Sequence, residues 1–321
     1  MPSAATGRIG VTAMGGDAKA VTARIVDMER QGIPSAWLTT GGAGLDGLTL
    51  LSAAAAQTQR IQLGTCIVPT WPRHPITMVQ QVQVIEQLAP RRLLLGIGPS
   101  HKPSMQGMYG FDFNKPLTNL REYVHVVKVL LRDGSVDFDG FHYHAHARIA
   151  APIKSMPILA SALQPKSYEF CGAETDGAIS WVCPAEYLVN TALPAMQRGA
   201  AAKGRAAPPL YAHVPVAVHD DPKEARQAAK QQLAGYPRLP FYAQMFAQAG
   251  FPEPLETKEW TDALVDATVV YGNETTVATK LEAMFAQGIG QIIANILPMG
   301  AKPDASRERT LNLIASLARN G

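Results

Sequence analysis

Charged residues are scarce in this sequence. Asp, Glu, Lys and Arg make up 17% of the 321 residues, whereas about a quarter is usual for a globular domain. The net charge of +3 is small, and no cluster of Lys and Arg is interleaved with aromatic residues, which argues against nucleic-acid binding. Apolar residues make up 47%. We therefore expect a large core and a homodimer that hides apolar surface, with residues 48–57 and 76–88 as the contact.

Cysteine is also scarce, and long apolar runs are absent. Cys66, Cys171 and Cys183 are odd in number and lie in or beside apolar segments, so we expect buried, reduced thiols. No Cys and His spacing is typical of a zinc site. Nothing approaches the roughly 18 consecutive apolar residues of a membrane helix, and the amino terminus has no secretory-signal pattern. The sequence predicts a cytosolic protein that binds neither metal nor membrane.

Short apolar runs alternate with helical patterns along nearly the whole chain. Residues 61–68 form one such run, and Pro75 is well placed in the first turn of the helix that follows. Residues 93–98 form the next run and lead into Ser100 and His101. Near-continuous apolar strands separated by helices predict parallel strands covered on both faces, with functional groups at their carboxyl ends.

The whole pattern predicts strands at residues 8–13, 36–39, 61–68, 93–98, 158–163, 178–183, 212–218 and 291–297. It predicts helices at 17–31, 48–57, 76–88, 117–131, 165–174, 185–203, 222–249, 275–287 and 306–318. Such units match a single-domain parallel (β/α)8 TIM barrel spanning residues 1–321, for which roughly 250 residues is typical. The surplus falls in loop insertions at 100–116, 134–156 and 235–266. A doubly wound open sheet is the alternative, because periodicity does not distinguish a closed sheet from an open one.

Several blocks of sequence, in order, resemble those of the bacterial luciferase-like oxidoreductases, and they lie at 32–38, 48–55, 60–65, 73–75, 91–98 and 173–177. Two segments, 98–102 and 121–123, are most similar to the branch that uses the deazaflavin coenzyme F420. The resemblance covers essentially the full chain. It implies an eight-stranded barrel, a flavin-type cofactor at the carboxyl ends of the strands and hydride transfer, with FMN as the alternative cofactor.

The resemblance implies a cofactor wall at the end of the third strand. In the family, a cis peptide between two non-proline residues backs the cofactor ring, and the matching pair here is Cys66 and Ile67. Val68 and Thr70 are expected to line the same wall. The alternative is an ordinary buried strand with a core cysteine.

The segment after the second strand departs from the family. Where the family has an acidic residue and a histidine, this sequence has Thr40 and Gly41, preceded by Thr39. In the sugar-phosphate-oxidising branch that histidine takes the proton of the substrate hydroxyl, so the resemblance does not support alcohol oxidation by that route. Thr39 and Thr40 either donate hydrogen bonds to the cofactor or act as turn residues.

The end of the fourth strand supplies the candidate acid. His101 falls where the family places an active-site acid, and an imidazole with a pKa of about 6.5 exchanges protons near neutral pH, as reduction of a polarised double bond requires. Gly98 and Ser100 belong to the same block and are expected to contact the cofactor. His74, in an Arg-His-Pro segment, is expected to fix the start of a helix.

The fifth and sixth strands supply further candidates. The resemblance places the cofactor's phosphate near Ala162, Leu163 and Gln164, where backbone N–H groups and the dipole of the next helix favour an anion. The paired glycines often found there in the family are missing. Trp181 either contacts the cofactor or fills the barrel.

Three histidines, His142, His144 and His146, alternate as they would on one face of a strand. They suit either a metal site or an exposed hairpin. Since neither carboxylate nor cysteine ligands accompany them in this segment, the exposed hairpin is favoured and we expect no bound metal.

These features predict an enzyme that transfers a hydride between coenzyme F420 and a small organic substrate, most simply by reduction of an activated C=C, C=N or C=O bond. Lys102, Lys166 and Arg73, near strand ends, suit the anionic tail of this coenzyme. An FMN-dependent monooxygenase and a flavin-binding barrel without catalysis are the alternatives. The substrate would be held by variable loops, which a resemblance of fold does not define.

Overall fold

Eight parallel strands close into a barrel in the computed structural model of this chain, which describes residues 7–319. With the four strands that lie outside the ring of eight included, the strands of the described residues are β1 Ile9–Thr12, β2 Ser35–Leu38, β3 Gln62–Thr65, β4 Val68–Pro69, β5 Leu93–Gly98, β6 Ser135–Asp139, β7 His144–Arg148, β8 Ile158–Ser161, β9 Gly177–Trp181, β10 Leu210–Val218, β11 Val270–Gly272 and β12 Gln291–Ile296.

The helices surround these strands. They are α1 Ala18–Arg30, α2 Gly47–Ala55, α3 Pro75–Leu88, α4 Lys102–Gly107, α5 Pro116–Asp133, α6 Pro165–Glu174, α7 Ala185–Tyr187, α8 Leu193–Ala201, α9 Pro222–Gln232, α10 Pro240–Gln248, α11 Pro254–Thr257, α12 Asp262–Thr268, α13 Glu274–Ala286 and α14 Pro303–Arg319. A π-helical turn, Leu188–Ala192, joins α7 to α8, and a 3₁₀ turn, Tyr236–Arg238, precedes α10. Within residues 7–319, no helix is both long and apolar enough to cross a membrane.

The pairing order shows that the sheet is closed. Around the barrel the order is β1, β2, β3, β5, β8, β9, β10 and β12, and β12 pairs with β1 in parallel. The two pairings of β10, with β9 and with β12, complete the circle. The predicted TIM barrel is therefore confirmed, and the doubly wound open sheet is excluded.

Helix starts follow the signals in the sequence. Side chains at the N-caps of α1, α2, α9 and α13 accept hydrogen bonds from backbone N–H groups of the first turn, and they are Asp17, Asp46, Asp221 and Asn273. His74 does the same for α3, with Nδ1 accepting from the N–H of Ile76 at 3.2 Å. The expectation that His74 fixes this turn is confirmed.

Two predicted elements were wrong in extent. The predicted helix 222–249 is broken into α9, the 3₁₀ turn and α10, because Pro237 and Pro240 lack the N–H that a continuous helix needs. The predicted strand 61–68 is divided into β3 and β4 at Cys66 and Ile67, which are joined by a cis peptide bond. The short strand β11, which pairs with β10, was not predicted.

Trp37 fills much of the barrel interior. It packs with Leu94, Leu159, Ile179, Tyr211 and Ile293 in a cluster separate from the larger core between strands and helices. Its side chain is 1% exposed, and its Nε1 donates to Ser35 Oγ at 2.9 Å. Glycines on the two flanking strands leave the space it occupies: a Cβ on Gly64 would lie 2.2 Å from Trp37 Cε3, and one on Gly10 would lie 2.4 Å from Trp37 Nε1.

We predict that Gly64→Ala lowers the free energy of unfolding by about 1–3 kcal/mol, because the added methyl group overpacks a core in which Trp37 has no room to move. Urea denaturation of the purified protein measures this. Gly16→Ala is the matched control, since nothing lies within 4 Å of the position of its Cβ. Equal unfolding midpoints for Gly64→Ala and the wild type would contradict the prediction.

Candidate active site

A cavity of about 1270 Å³ opens at the carboxyl ends of the barrel strands. This exceeds the volume of about 300–1,000 Å³ that is typical of ligand pockets, so it can hold a cofactor together with a substrate. Ten of the residues predicted to form the site line the cavity, and they are Thr39, Thr40, Cys66, Ile67, Ser100, His101, Ala162, Leu163, Gln164 and Trp181.

Strand alternation explains which side chains reach the cavity. Side chains two positions apart on a strand share a face. Five residues of the interior cluster each have a cavity-lining residue two positions later in the chain. The pairs are Trp37 and Thr39, Leu159 and Ser161, Ile179 and Trp181, Tyr211 and His213, and Ile293 and Asn295. The interior cluster around Trp37 is thus followed, toward the cavity, by one layer of polar and aromatic side chains.

Three predicted residues do not line the cavity. Val68 pairs with Ile97 and belongs to the core between strands and helices. Thr70 is buried, and its Oγ1 donates to Asn119 Oδ1 at 2.6 Å. Gly98 lies against Ser161, whose Oγ would be 2.0 Å from a Cβ at this position. Val68 and Thr70, which we expected at the cofactor wall, are therefore core residues that do not line this cavity.

The wall at Cys66 and Ile67 has the expected cis peptide bond. The carbonyls of both residues are held by the neighbouring loop, because Thr39 Oγ1 donates to Cys66 O at 3.1 Å and the N–H of Thr40 donates to Ile67 O at 3.1 Å. Thr40 Oγ1 accepts from the N–H of Gly47 at 3.0 Å, which leaves its hydroxyl hydrogen free to donate elsewhere. Burial raises the pKa of the Cys66 thiol to about 12, so it is neutral at pH 7.

His101 stands at the N-cap of α4, between the fourth barrel strand and the first insertion. Its ring lies edge-on to Tyr242 and Tyr236, at centroid distances of 5.7 and 6.4 Å. Burial lowers its pKa from the usual value of 6.5. At pH 7 the neutral imidazole therefore predominates more strongly than an unperturbed pKa would imply.

His213 is a functional candidate that the sequence analysis missed. It lies in the middle of β10, is 5% exposed and lines the cavity, with its ring 4.0 Å from that of Trp181. Its Nε2 is buried and has no hydrogen-bonding partner within residues 7–319. Burial lowers its pKa to about 3. The feature of the sequence that could have identified it is one histidine within an otherwise apolar run.

Thr12 and Asn295, from the first and last barrel strands, also line the cavity and were missed. Thr12 Oγ1 donates to Asn295 Oδ1 at 3.0 Å. The pair lies on adjacent strands, because β1 pairs with β12. Their signal was a polar residue near the carboxyl end of an otherwise apolar run.

The loop before α6 differs from a simple anion cradle. The N–H groups of Leu163 and Gln164 both donate to Ser167 Oγ at 3.1 Å, and Gln164 Nε2 donates to the carbonyl of Phe241 at 3.0 Å. Lys166 lines the cavity beside this loop, and Lys102 lines it next to His101. Arg73 does not line the cavity, because its guanidinium pairs with Asp46. Its expected role toward an anionic tail is corrected.

The histidine-rich segment forms the antiparallel hairpin of β6 and β7. His144 and His146 are exposed and pair with Asp139 and Asp137 across the hairpin. His142 lies outside β7 and packs its ring against Trp71, so it does not share their face. Within residues 7–319, no group of three or more His, Cys, Asp or Glu side chains is arranged to hold a metal ion.

Comparison with known proteins agrees with the geometry. The family model for luciferase-like monooxygenases matches residues 3–291. The chain is 29% identical over 237 residues to the F420-dependent glucose-6-phosphate dehydrogenase of Beutenbergia cavernae, an alignment that covers 71% of this chain and 68% of that one.

Two solved structures have the same fold. One is an F420-dependent secondary alcohol dehydrogenase in complex with an F420-acetone adduct, with a TM-score of 0.80 at 16% identity over 99% of this chain and 100% of that one. The other is the coenzyme F420-dependent tetrahydromethanopterin reductase of Methanopyrus kandleri, with a TM-score of 0.78 at 19% identity over 98% of each chain.

Proposed function

Because this chain belongs to the luciferase-like monooxygenase family and is an enzyme, we propose that it binds coenzyme F420 and is an oxidoreductase acting on a small organic substrate. Its relatives in sequence and in fold include enzymes named for their dependence on F420. The observation that carries the proposal is one cavity, at the carboxyl ends of the barrel strands, that is lined by Cys66, Ile67 and His101.

The residues present fit this coenzyme. The wall formed by Thr39, Thr40 and the cis bond would back its ring system, with the Thr40 hydroxyl available as a donor. Lys102 and Lys166 would face its anionic phosphate and glutamate tail, together with the side chain of Gln164. When bound, the coenzyme would supply the hydride in the reducing direction or accept it in the oxidising direction.

His101 supplies the proton in this proposal. Reduction of a C=C, C=N or C=O bond adds a hydride, with its two electrons, to one atom and a proton to the other. The His101 imidazolium gives that proton and becomes neutral, and water restores it. Since burial lowers the pKa of His101, the acid form is a minor species at pH 7. In the reverse reaction the neutral ring accepts the proton.

We also propose a homodimer that uses α3. Val84 and Leu88 lie one turn apart on α3 and are 50% and 46% exposed, so they form an apolar stripe on its outer surface. The neighbouring helix α2 packs against α3 and is itself rich in alanine and leucine. A second copy covering this stripe would remove it from water.

The cysteines support a reducing compartment. Cys66, Cys171 and Cys183 are free and buried. Burial raises the pKa of each thiol to about 12, so none is a reactive thiolate at pH 7. We propose on this basis that the enzyme works in the cytosol, where thiols stay reduced.

We predict that the protein binds coenzyme F420 at least about tenfold more tightly than FMN, a difference of about 1.4 kcal/mol. The reason is the pair of lysines available to the anionic tail. Fluorescence titration of the purified protein with each cofactor measures both affinities, and Lys166→Ala should weaken F420 binding more than FMN binding. Equal affinity, or a preference for FMN, would remove the basis for F420 and favour the monooxygenase alternative.

We predict that His101→Ala lowers kcat about a hundredfold to ten-thousandfold with little change in F420 affinity, because a positioned general acid contributes that much. His101→Gln keeps a hydrogen-bond donor that is too weak an acid to transfer a proton, and should be nearly as slow. With reduced coenzyme and cyclohex-2-en-1-one, wild-type kcat/KM should fall as the pH rises through the pKa of His101, below 6.5. Wild-type rates in both variants would show that the proton comes from elsewhere.

We predict that Val84→Glu dissociates the homodimer into monomers of 34.4 kDa, because it places a charge in the apolar contact. Light scattering coupled to size-exclusion chromatography measures the mass at micromolar concentration. Leu255→Glu is the control, since Leu255 is an exposed apolar residue on α11 rather than on α3. A wild-type protein that elutes as a monomer would refute the proposed dimer.

A further inference from the structure

Five aromatic rings line one side of the cavity in an unbroken series, which we call the ring cluster: His213, Trp181, Tyr236, Tyr242 and His101. Successive ring centroids are 4.0, 5.8, 5.0 and 5.7 Å apart. These separations are typical of packed aromatic pairs. The cluster joins β9 and β10 to the insertion that contains the 3₁₀ turn and α10.

The His213 end of the ring cluster lies across the barrel from the cis bond, whereas His101 follows β5, the strand next to β3. Three strands, β5, β8 and β9, separate β3 from β10 in one direction, and β2, β1 and β12 separate them in the other. Cys66 follows β3 and His213 lies on β10, so the two are on opposite sides of the mouth. A coenzyme backed by the cis bond therefore leaves its other face toward His213 and Trp181, where a substrate would lie.

His213 is buried without a hydrogen bond of its own. None of its ring atoms bonds to another residue between 7 and 319, and Nε2 is inaccessible to solvent. Buried polar atoms without a partner are rare and unfavourable. Because burial keeps the ring neutral down to a pH of about 3, it always carries one N–H donor and one acceptor nitrogen. A ligand that bonds to it would satisfy this group.

No Asp, Glu, Lys or Arg lies on β9 or β10, the strands of Trp181 and His213, whereas Lys102 follows His101 at the other end of the ring cluster. The cavity's basic residues, Lys102, Lys166, Arg24 and Arg307, lie on α4, α6, α1 and α14 rather than on β9 or β10. The ring contacts of Trp181 and His213 are to each other and to Tyr236. A carboxylate or phosphate placed on these rings would lose its hydration without gaining an opposite charge.

We propose that the substrate of this enzyme is an uncharged, flat, conjugated carbonyl compound that stacks on the ring cluster and accepts a hydrogen bond from His213 at its carbonyl oxygen. The inference deepens the proposed function and rests on it for the position of the coenzyme. It assigns His213 to substrate binding and leaves proton transfer to His101. The sugar phosphate named for the relative from Beutenbergia cavernae lacks these properties, being charged and not flat.

Benzylideneacetone, an uncharged conjugated ketone, is the probe, and cinnamate, which has the same skeleton with a carboxylate, is its charged counterpart. Calorimetric titrations measure the affinity of both for the coenzyme-free protein and for the protein saturated with F420. We expect the ketone to bind wild-type protein at least about tenfold more tightly than cinnamate. His213→Phe keeps a ring beside Trp181 but loses the hydrogen bond, and should weaken ketone binding about five- to tenfold.

His213→Gln restores a donor and should bring ketone affinity back to within about threefold of wild type. His125→Phe is the matched control, since His125 is exposed on α5 and its loss should change nothing. All variants should bind F420 like the wild type, which also shows that they fold. The inference would be overturned if His213→Phe left the ketone affinity unchanged, if cinnamate bound as tightly as the ketone, or if His213→Phe weakened only the binding of F420. If F420 itself does not bind but the ketone series holds, the coenzyme assignment fails and the substrate assignment stands.

Discussion

The position of Trp37 across the barrel interior is the constraint on which the site depends. A closed barrel of eight strands has just enough room for side chains, and here one indole uses the space left by glycines at positions 10 and 64. With Tyr211 and Ile293 it makes a solid plug. Because each strand places every second side chain inward, filling this layer fixes which residues form the next layer, and that next layer is the wall of the cavity.

Near His213 and Cys66 the cavity wall is polar but uncharged, whereas charged side chains such as Lys102, Lys166 and Arg24 line other parts of it. His213 stays neutral because it is buried, and Cys66 stays a thiol for the same reason. Burial also lowers the pKa of His101 from its usual value. One wall thus offers hydrogen bonds, and one residue offers a titratable proton. This division suits the transfer of a hydride to an uncharged substrate.

Residues from an insertion complete the cavity wall that the barrel strands form. Tyr236 and Tyr242 come from the segment broken by Pro237 and Pro240, and they close the ring cluster over Trp181 and His101. The segment is not a continuous helix, since Pro237 lies in the 3₁₀ turn and Pro240 begins α10. The substrate side of the site is therefore made by the least regular part of the chain.

The sequence by itself determined the alternation of parallel strands and helices, since apolar runs and helical patterns are local properties that follow from side-chain periodicity. Closure of the sheet into a barrel was decided by the tertiary structure, because periodicity is the same in a closed and an open sheet. It also identified part of the cavity lining, such as Thr39, Ser100 and His101, because groups after a strand end lie at the mouth. It did not identify His213, since an apolar run does not reveal which of its residues face inward until the strands are closed into a ring. Nor could it show that Val68, Thr70 and Arg73 turn away, or that Trp181 joins a series of rings. Those outcomes depend on contacts between residues far apart in the chain, and only tertiary packing decides them.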